Sequence, residues 1–431
     1  MKNVNASIIT IGDELLIGQT IDTNSAWMAQ ELNKIGVWVR KRVAVGDAWD
    51  DIWNALDAES KESEIILITG GLGPTADDIT KPLLCKYFGG KLVVNEEVLN
   101  HVNYLFEKVY RRPGPMLERN LKQAEVPDVC TVLHNARGTA PGMWFTPQLP
   151  KGGVQRDSDK KVFVSLPGVP HEMKGLMLNE VLPRIAKTFE LPFIIHRTAF
   201  TMGTGESMIA EKIKDFESTL PEHIKLAYLP GYGMVKLRLT TKGDDKEKME
   251  KELEEKFSAL KELVQEWLVT DEDENLATVV QKILKAKNKT IGTAESCTGG
   301  YIAHLITSNP GSSIGYKGSI VSYANDIKEK ILGVSDKTLR TAGAVSEETV
   351  IQMVKGAIEK LNVDFAVATS GIMGPDGGTD EKPVGTVWIA AGNKGKVETA
   401  KLSFRFDRER NIEMTAHAAL NFLRKFILAN T

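Results

Sequence analysis

Short apolar runs that lead into glycine-containing loops are the feature that most constrains how this chain folds. Such runs stand at Ala6–Gly12, Glu64–Thr69, Val162–Leu166 and Thr290–Ala294. Strands that are buried on both faces read as continuous apolar runs, and patterns typical of helices lie between these runs. The sequence therefore predicts α/β architecture with largely parallel sheets, one in the first part of the chain and one in the last.

The length and the changing texture of the chain indicate three domains. A chain of 431 residues exceeds the roughly 100–200 residues that are usual for one domain. We expect an α/β domain at 1–190, a small α+β domain at 191–270 and a second α/β domain at 274–431, after the acidic linker Asp271–Glu274. Within the first domain, the polar stretch Thr146–Lys161 predicts a surface hairpin or loop.

Composition argues against several classes of protein. The chain has 54 Lys and Arg against 57 Asp and Glu, a formal net charge of −3, so no global positive field draws it to nucleic acid or to an anionic membrane. The three cysteines show no spacing typical of a zinc site or a disulfide framework. No stretch approaches the roughly 18 apolar residues of a membrane span. We therefore expect a soluble, cytoplasmic protein with no membrane partner.

A serine-containing loop follows the strand Thr290–Ala294. It reads Glu295-Ser-Cys-Thr-Gly-Gly300, and a helical pattern begins directly after it. Free N–H groups and the positive dipole end of a helix can hold a phosphate or an oxyanion, and glycines allow close approach. An ordinary helix cap is the alternative explanation of Ser296 and Thr298.

Two more loops follow later strands of the same domain. Tyr323-Ala-Asn-Asp-Ile-Lys328 contains a lysine that, if held near a serine and away from water, can lose its proton and act as a general base. The glycine-dense loop Thr369–Thr379, closed by Lys382–Val387, suits main-chain contacts to phosphate or ribose. A surface charge and a tight turn are the respective alternatives. Because three such loops end strands of one α/β domain, we expect a ligand site there.

Five motifs of this last domain resemble the carboxy-terminal domain of the CinA family of competence/damage-inducible proteins. They are AESCTGG, YANDIK, GAVSEE, GPDGGT and KPVGTV, and they occur in the family's order between Thr290 and Leu420. The resemblance implies an amidohydrolase that converts nicotinamide mononucleotide to nicotinic acid mononucleotide and ammonia, with no cofactor in this domain. The family's serine, tyrosine and lysine fall on Ser296, Tyr323 and Lys328.

The departures from the family pattern leave these reacting groups in place. Family members usually have Tyr-Ser-Asn-Glu-Ala-Lys where this chain has Tyr-Ala-Asn-Asp-Ile-Lys, and alanine where Met373 stands. In the predicted mechanism a neutral Lys328 activates Ser296, Tyr323 relays the proton or orients the serine, and N–H groups of the following helix hold the oxyanion. Cys297 is the competing nucleophile, because a thiolate at a helix terminus has a lowered pKa.

The same resemblance implies where the nucleotide is bound. The predicted substrate contacts are Thr298, Gly299, Gly300, Gly371, Gly374, Asp376 and Arg408. Arg408 is assigned to the substrate phosphate because a guanidinium binds phosphate bidentately, and a surface salt bridge is its alternative.

Glycines and acids also stand at successive strand ends of the first domain. Glycine loops suit a diphosphate, and two adjacent aspartates suit a hard divalent cation, with helix caps as the alternative. The predicted ligand contacts are Asp22, Asn24, Gly70, Gly71, Gly73 and Thr75, and the predicted metal ligands are Asp77 and Asp78.

With Gly138–Gly142 and Pro167–Met173, these motifs resemble the amino-terminal half of the CinA family, which is similar in fold to molybdopterin-binding domains. This resemblance implies hydrolysis of ADP-ribose with a divalent metal ion, a KH-like middle domain and a homodimer. KH domains hold RNA through a Gly-x-x-Gly loop, and Gly231-Tyr-Gly233 lacks that spacing, so the sequence argues against nucleic-acid binding.

The whole chain is thus predicted to be a bifunctional pyridine-nucleotide recycling enzyme. Two alternatives stay open. In one, the amino-terminal domain only binds or adenylylates a molybdopterin-like ligand. In the other, the protein is a non-catalytic, competence-linked interaction partner whose sites only sense nucleotides.

Overall fold

The computed structural model describes residues 4–75, 77–111, 116–147, 160–231 and 233–431. The chain forms two compact units, Met1–Ile195 with Lys242–Glu250 and His196–Thr241 with Lys251–Thr431. Most of the predicted loop Thr146–Lys161 lies outside the described residues. Within the described ranges, no helix is both long enough and apolar enough to span a membrane.

The first unit is built on a six-stranded mixed sheet. The strands of the whole unit are β1 (Asn5–Ile11), β2 (Trp38–Val45), β3 (Ile65–Thr69), β4 (Leu92–Val94), β5 (Glu125–Pro127), β6 (Thr131–Leu133), β7 (Gly142–Phe145) and β8 (Val162–Leu166). The sheet order is β2-β1-β3-β8-β7-β6, while β4 and β5 form a separate antiparallel pair. Strands β2, β1, β3 and β8 are parallel, and β7 and β6 are antiparallel additions.

Helices connect these strands. They are α1 (Asp13–Leu16), α2 (Thr23–Lys34), α3 (Trp49–Glu62), α4 (Thr80–Tyr87), α5 (Glu96–Tyr104), α6 (Glu118–Leu121), α7 (Pro170–Leu176) and α8 (Leu182–Thr188), with π-helical turns at Leu105–Val109 and Met177–Val181 and a 3-10 turn at Lys122–Ala124.

Neighbouring residues of β1 supply two apolar cores, one on each face of the sheet. Ile8 packs in a cluster that contains Met28 of α2. Ile9 packs in a cluster that contains Leu56 of α3 and Phe145 of β7. Because helices cover both faces, the central strands β3 and β8 are buried at every position, as their apolar runs predicted.

The middle segment forms a small α+β sheet. Its strands are β9 (Phe193–Met202), β10 (Ile224–Gly231), β11 (Met234–Gly243) and β12 (Leu268–Thr270), and its helices are α9 (Glu206–Ser218) and α10 (Lys246–Leu263). The strand order is β10-β11-β9-β12. Strand β10 pairs antiparallel with β11, and β12 pairs antiparallel with β9.

The last segment carries a five-stranded sheet of order β14-β13-β15-β16-β17. The strands are β13 (Ile291–Glu295), β14 (Tyr316–Val321), β15 (Phe365–Gly371), β16 (Thr386–Gly392) and β17 (Val397–Ser403). The helices are α11 (Leu276–Lys287), α12 (Tyr301–Thr307), α13 (Asn325–Leu332), α14 (Asp336–Thr341), α15 (Glu347–Leu361) and α16 (Arg408–Ala429), with a 3-10 turn at Ser312–Ile314. Strands β14, β13 and β15 are parallel, so the loops that follow them meet at one edge of the sheet.

Candidate active site

A serine and a lysine meet at the carboxyl edge of the last sheet. Ser296 directly follows β13, and its backbone N–H donates to Thr369 O in β15 at 3.0 Å. Lys328 lies on α13, and its Nζ is 3.0 Å from Ser296 Oγ. Both residues are buried, with 8% and 1% of their surfaces exposed. The fold brings together the two residues that the sequence predicted as nucleophile and base.

The burial of Lys328 disfavours the charged form of its amine. Burial lowers the pKa of Lys328 below its ordinary value, because a buried ammonium loses its hydration. Its Nζ also donates to the carbonyl oxygens of Ser322 at 2.7 Å and Tyr323 at 3.1 Å. A neutral amine has two N–H groups and one lone pair. In the neutral form both N–H groups can stay on the two carbonyls, and the lone pair can then accept the Ser296 hydroxyl proton; in the protonated form Nζ donates to Ser296 Oγ as well.

A cavity of about 200 Å³ opens beside this pair. Its lining residues are Ser296, Cys297, Tyr323, Asn325, Lys328, Ala344, Val345, Ser370, Gly371, Met373 and Arg408. Of the residues predicted for this site, Asp376 and Gly299 are exposed and are not among those that line the cavity. Ala344 and Val345 also line the cavity, although the sequence predicted no role for either residue. Both belong to the GAVSEE motif that resembles the CinA family.

Tyr323 and Arg408 contact each other at this cavity. Arg408 Nη2 donates to Tyr323 Oη at 3.1 Å, and Nη1 donates to Gly374 O at 2.7 Å. The predicted role of Tyr323 was to relay the Ser296 proton or to orient that serine. The structure instead pairs the phenol with Arg408, while the Tyr323 carbonyl holds Lys328.

The Glu295 carboxylate accepts hydrogen bonds from the N–H groups that were predicted to hold an oxyanion. The backbone N–H groups of Gly300, Ile302 and Ala303, at the start of α12, all donate to its carboxylate. Thr298 Oγ1 donates to the same group at 2.8 Å, and Thr298 is 2% exposed. The helix terminus is thus already bound to an anion of the chain itself, and these four groups serve the loop rather than a ligand.

Cys297 is not the activated thiol that its position at a helix terminus predicted. Burial raises the pKa of Cys297 to about 12, because the thiolate would be desolvated. The residue belongs to the apolar core around α16. Desolvation therefore outweighs the helix dipole, and the thiol stays protonated near neutral pH.

Glycines and Asn24 form the corresponding edge of the first sheet. Gly70 and Gly71 follow β3 with positive φ angles of 114° and 64°, and a Cβ at Gly70 would collide with Ile11 O, so both positions require glycine. Asn24 Nδ2 donates to Gly168 O at 2.7 Å. Asp22, also a predicted ligand contact, caps α2 by accepting from Ser25 N.

The two predicted metal ligands of this unit differ in their surroundings. Asp78 accepts from the N–H groups of Gly73 at 2.7 Å and Thr75 at 2.8 Å, so it braces the loop. Asp77 is exposed and adds to the charge near Asp47, whose pKa is raised by burial and by the neighbouring carboxylates of Asp13, Glu14 and Asp77. Among the described residues, no three His, Cys, Asp or Glu side chains form a ready group for a metal ion.

Three family models match successive parts of the chain. Their descriptions are "Probable molybdopterin binding domain" at residues 7–187, "Damage-inducible protein CinA KH domain" at 196–270 and "CinA C-terminal domain" at 273–427. A CinA-like protein of Cytophaga hutchinsonii is 46% identical over 423 residues, which cover 98% of each chain. The chain belongs to the CinA family. A CinA-like protein of Flavobacterium psychrophilum is 44% identical over 99% of both chains.

Solved structures also match parts of this CinA chain. The competence/damage inducible protein CihA from Agrobacterium tumefaciens is 39% identical, covers 35% of this chain and 92% of its own, and has a TM-score of 0.34. The predicted family and the predicted fold class, with a molybdopterin-binding-like domain, a KH-like domain and an α/β carboxy-terminal domain, are confirmed. The predicted domain bounds and the roles of the site residues stay predictions.

Proposed function

We propose that this CinA protein hydrolyses the carboxamide of nicotinamide mononucleotide to give nicotinic acid mononucleotide and ammonia. The observation that carries the proposal is the 3.0 Å contact between Lys328 Nζ and Ser296 Oγ beside a cavity of about 200 Å³. A serine next to a neutral lysine is a nucleophile suited to acyl transfer. The motifs shared with the CinA family support the choice of a carboxamide-bearing nucleotide.

The reaction follows from the protons that the two groups carry. Ser296 Oγ attacks the carboxamide carbon while its proton passes to Lys328 Nζ. Lys328 then gives that proton to the amide nitrogen, the C–N bond breaks, and ammonia leaves an acyl ester on Ser296. Lys328 next takes a proton from water as the water attacks the ester, and it returns this proton to Ser296 Oγ when the acid product departs.

The cavity walls suit both ends of this substrate. Val345 and Met373 offer apolar surface to the pyridinium ring. Arg408 has five N–H donors. One N–H of Nη1 donates to Gly374 O, and one N–H of Nη2 donates to Tyr323 Oη. The other donors remain for the substrate phosphate, which a guanidinium binds with charge-assisted hydrogen bonds.

Ammonia release from nicotinamide mononucleotide by the purified protein tests this function. We expect turnover by the wild type and by Cys297→Ala, and none above background by Ser296→Ala or Lys328→Ala. An active Ser296→Ala beside an inactive Cys297→Ala would assign the nucleophile to the thiol. Binding of the nucleotide by calorimetry without ammonia release would support a non-catalytic, ligand-sensing protein instead.

We infer a second activity, hydrolysis of the diphosphate of ADP-ribose, for the amino-terminal domain. The observation that favours it is the position of Asn24 at the strand ends that carry the glycine loop, where its Nδ2 donates to Thr69 Oγ1 at 3.4 Å and to Gly168 O at 2.7 Å. An amide side chain at such an edge can contact a ribose hydroxyl of a bound nucleotide.

A divalent cation fits the acids of this domain. Mg²⁺ usually keeps several waters and binds through one or two carboxylates together with substrate phosphates, so it does not need a ready group of three side chains. Asp77, which is exposed, would hold it together with the substrate phosphates, while Asp78 stays with the loop. Such an ion would supply charge neutralisation at the diphosphate.

AMP formation from ADP-ribose, with added Mg²⁺ or with EDTA, tests the second activity. We expect turnover that EDTA abolishes and Mg²⁺ restores. Binding of a molybdopterin-like ligand without ADP-ribose turnover would favour the alternative of a binding domain. Light scattering on the same preparation checks the predicted homodimer.

A further inference from the structure

Glu295 is a fully buried carboxylate directly before the proposed nucleophile Ser296. It ends β13, and none of its surface is exposed. Its hydrogen-bond donors among the described residues are all uncharged groups. A buried charge is unfavourable unless its lone pairs are hydrogen-bonded, so the position of this carboxylate beside a reactive serine needs a physical reason.

Six donors converge on this carboxylate. Three are backbone N–H groups at the start of α12, from Gly300 at 3.1 Å, Ile302 at 3.0 Å and Ala303 at 2.9 Å. Three are hydroxyls, from Thr298 at 2.8 Å and from Thr293 and Ser319 at 3.2 Å each. An ionised carboxylate only accepts hydrogen bonds, so an environment made wholly of donors matches it.

These bonds fix the turn that carries Ser296. Within that turn, Gly299 N–H donates to Ser296 O at 3.2 Å, and the following Gly300 N–H is held by Glu295. Ser319 and Thr293 tie the same carboxylate to β14 and β13. The backbone on both sides of Ser296 is therefore held through one side chain.

We propose that Glu295 is a positioning residue, which keeps Ser296 Oγ at the distance from Lys328 that activation requires. The inference rests on the assignment of Ser296 as the nucleophile in the proposed function. Glu295 is not among the residues that line the cavity, so it acts on the attack step and not on substrate binding. A misplacement of about 1 Å in such a pair costs about 10²-fold in rate.

The test measures the rate at which Ser296 of the full-length protein reacts with a fluorophosphonate. In that reaction Ser296 Oγ bonds to phosphorus, the P–F bond breaks, fluoride leaves, and the serine proton passes to Lys328. The first-order rate at saturating reagent, followed by mass spectrometry, depends neither on the folded fraction nor on nucleotide turnover. We expect Glu295→Gln to slow labelling about 100-fold, because its amide N–H group faces donors and the turn must shift.

A matched control and a milder variant complete the design. Glu59→Gln alters a buried carboxylate of the first unit, which is 2% exposed and bound by Ser7 and Lys41, and it should leave the labelling rate of Ser296 unchanged. Thr298→Val removes one donor from Glu295 without changing charge, and it should slow labelling about 10-fold. It serves as the test if Glu295→Gln does not fold.

The outcomes separate the positioning role of Glu295 from the proposed hydrolysis of nicotinamide mononucleotide. Labelling that slows in Glu295→Gln or Thr298→Val supports the positioning role, even where the wild type fails to hydrolyse nicotinamide mononucleotide and only the proposed substrate is lost. Unchanged labelling in a folded variant overturns the positioning role. A wild-type Ser296 that does not react at all also overturns it, because there is then no activated serine to position.

Discussion

Replacing Lys328 by methionine is the sharpest test of the serine–lysine chemistry. Methionine keeps an unbranched apolar side chain where Lys328 is 1% exposed, but it offers no amine to take the Ser296 proton. General acid–base catalysis contributes about 10²–10⁴-fold, which corresponds to about 3–5 kcal/mol of transition-state stabilisation. Lys328 contacts Ser296 Oγ directly at 3.0 Å, and in the proposed mechanism it also protonates the departing amide nitrogen. We therefore expect kcat/KM to fall toward the larger of these factors.

The pH profile separates loss of a base from general damage. Burial lowers the pKa of Lys328, so kcat/KM of the wild type should rise with pH and level off above this lowered pKa. The free energy of unfolding should rise in the adjoining window, from the folded pKa of Lys328 up to its unfolded pKa. Between the folded and unfolded pKa values the unfolded state binds more protons, so stability increases with pH and is lowest below the folded pKa. Lys328→Met should lack both dependences.

The assay is ammonia release from nicotinamide mononucleotide from neutral to alkaline pH. The matched control is Lys330→Met on the same helix, where the lysine is 69% exposed and pairs with Asp326 at 3.2 Å. A surface pair of this kind contributes little, so its loss should leave kcat/KM nearly unchanged. The base assignment is refuted if Lys328→Met keeps more than about a tenth of the wild-type kcat/KM or retains the wild-type rise with pH.

Three more substitutions probe separate parts of the two sites. Arg408→Ala should raise KM for nicotinamide mononucleotide about 10-fold to 100-fold through lost hydrogen bonds to phosphate. The control Arg410→Ala only removes a guanidinium stacked 4.1 Å over Phe406 and should leave KM unchanged. Equal effects of the two substitutions on KM would argue against a phosphate contact of Arg408. Cys297→Ala should keep kcat near the wild-type value while lowering the free energy of unfolding by about 1 kcal/mol, measured by urea denaturation. Asn24→Ala should weaken ADP-ribose binding in calorimetry without changing ammonia release, and an unchanged affinity would remove Asn24 from the nucleotide site.

Much of the carboxy-terminal site was predictable because its residues lie at or just after the ends of strands. Ser296 and Lys328 are separated by 32 positions, but Ser296 lies in the loop after β13 and Lys328 in the first turn of the helix that follows β14. Such loops lie at one edge of a sheet, so a motif and a strand pattern suffice to predict that they approach each other. The place of Gly371 was predictable for the same reason, since this residue ends β15 and lines the cavity.

Contacts that depend on individual side-chain directions were not predictable. Tyr323 contacts Arg408 across 85 positions, because α16 begins at Arg408 and aims its first side chain at the cavity. Val345 lines the cavity because Lys382 Nζ donates to Val345 O at 2.9 Å and Ser370 Oγ donates to Ala344 O at 2.7 Å. No local pattern encodes such bonds, so the GAVSEE motif was visible in the sequence while its place in the site was not.

Two buried ionisable groups flank Ser296 without forming an ion pair, and this separation gives the site its chemistry. If Glu295 were the partner of Lys328, the attraction would raise the lysine pKa and keep it protonated, and a protonated lysine cannot accept the Ser296 proton. Here the N–H groups of α12 take the carboxylate, Lys328 is left with two carbonyl dipoles, and burial lowers its pKa. The terminus of α12 is then closed to the substrate phosphate, so that role passes to Arg408. In the proposed mechanism, the donors at the start of α12 therefore keep the Glu295 carboxylate from pairing with Lys328 and do not bind the substrate.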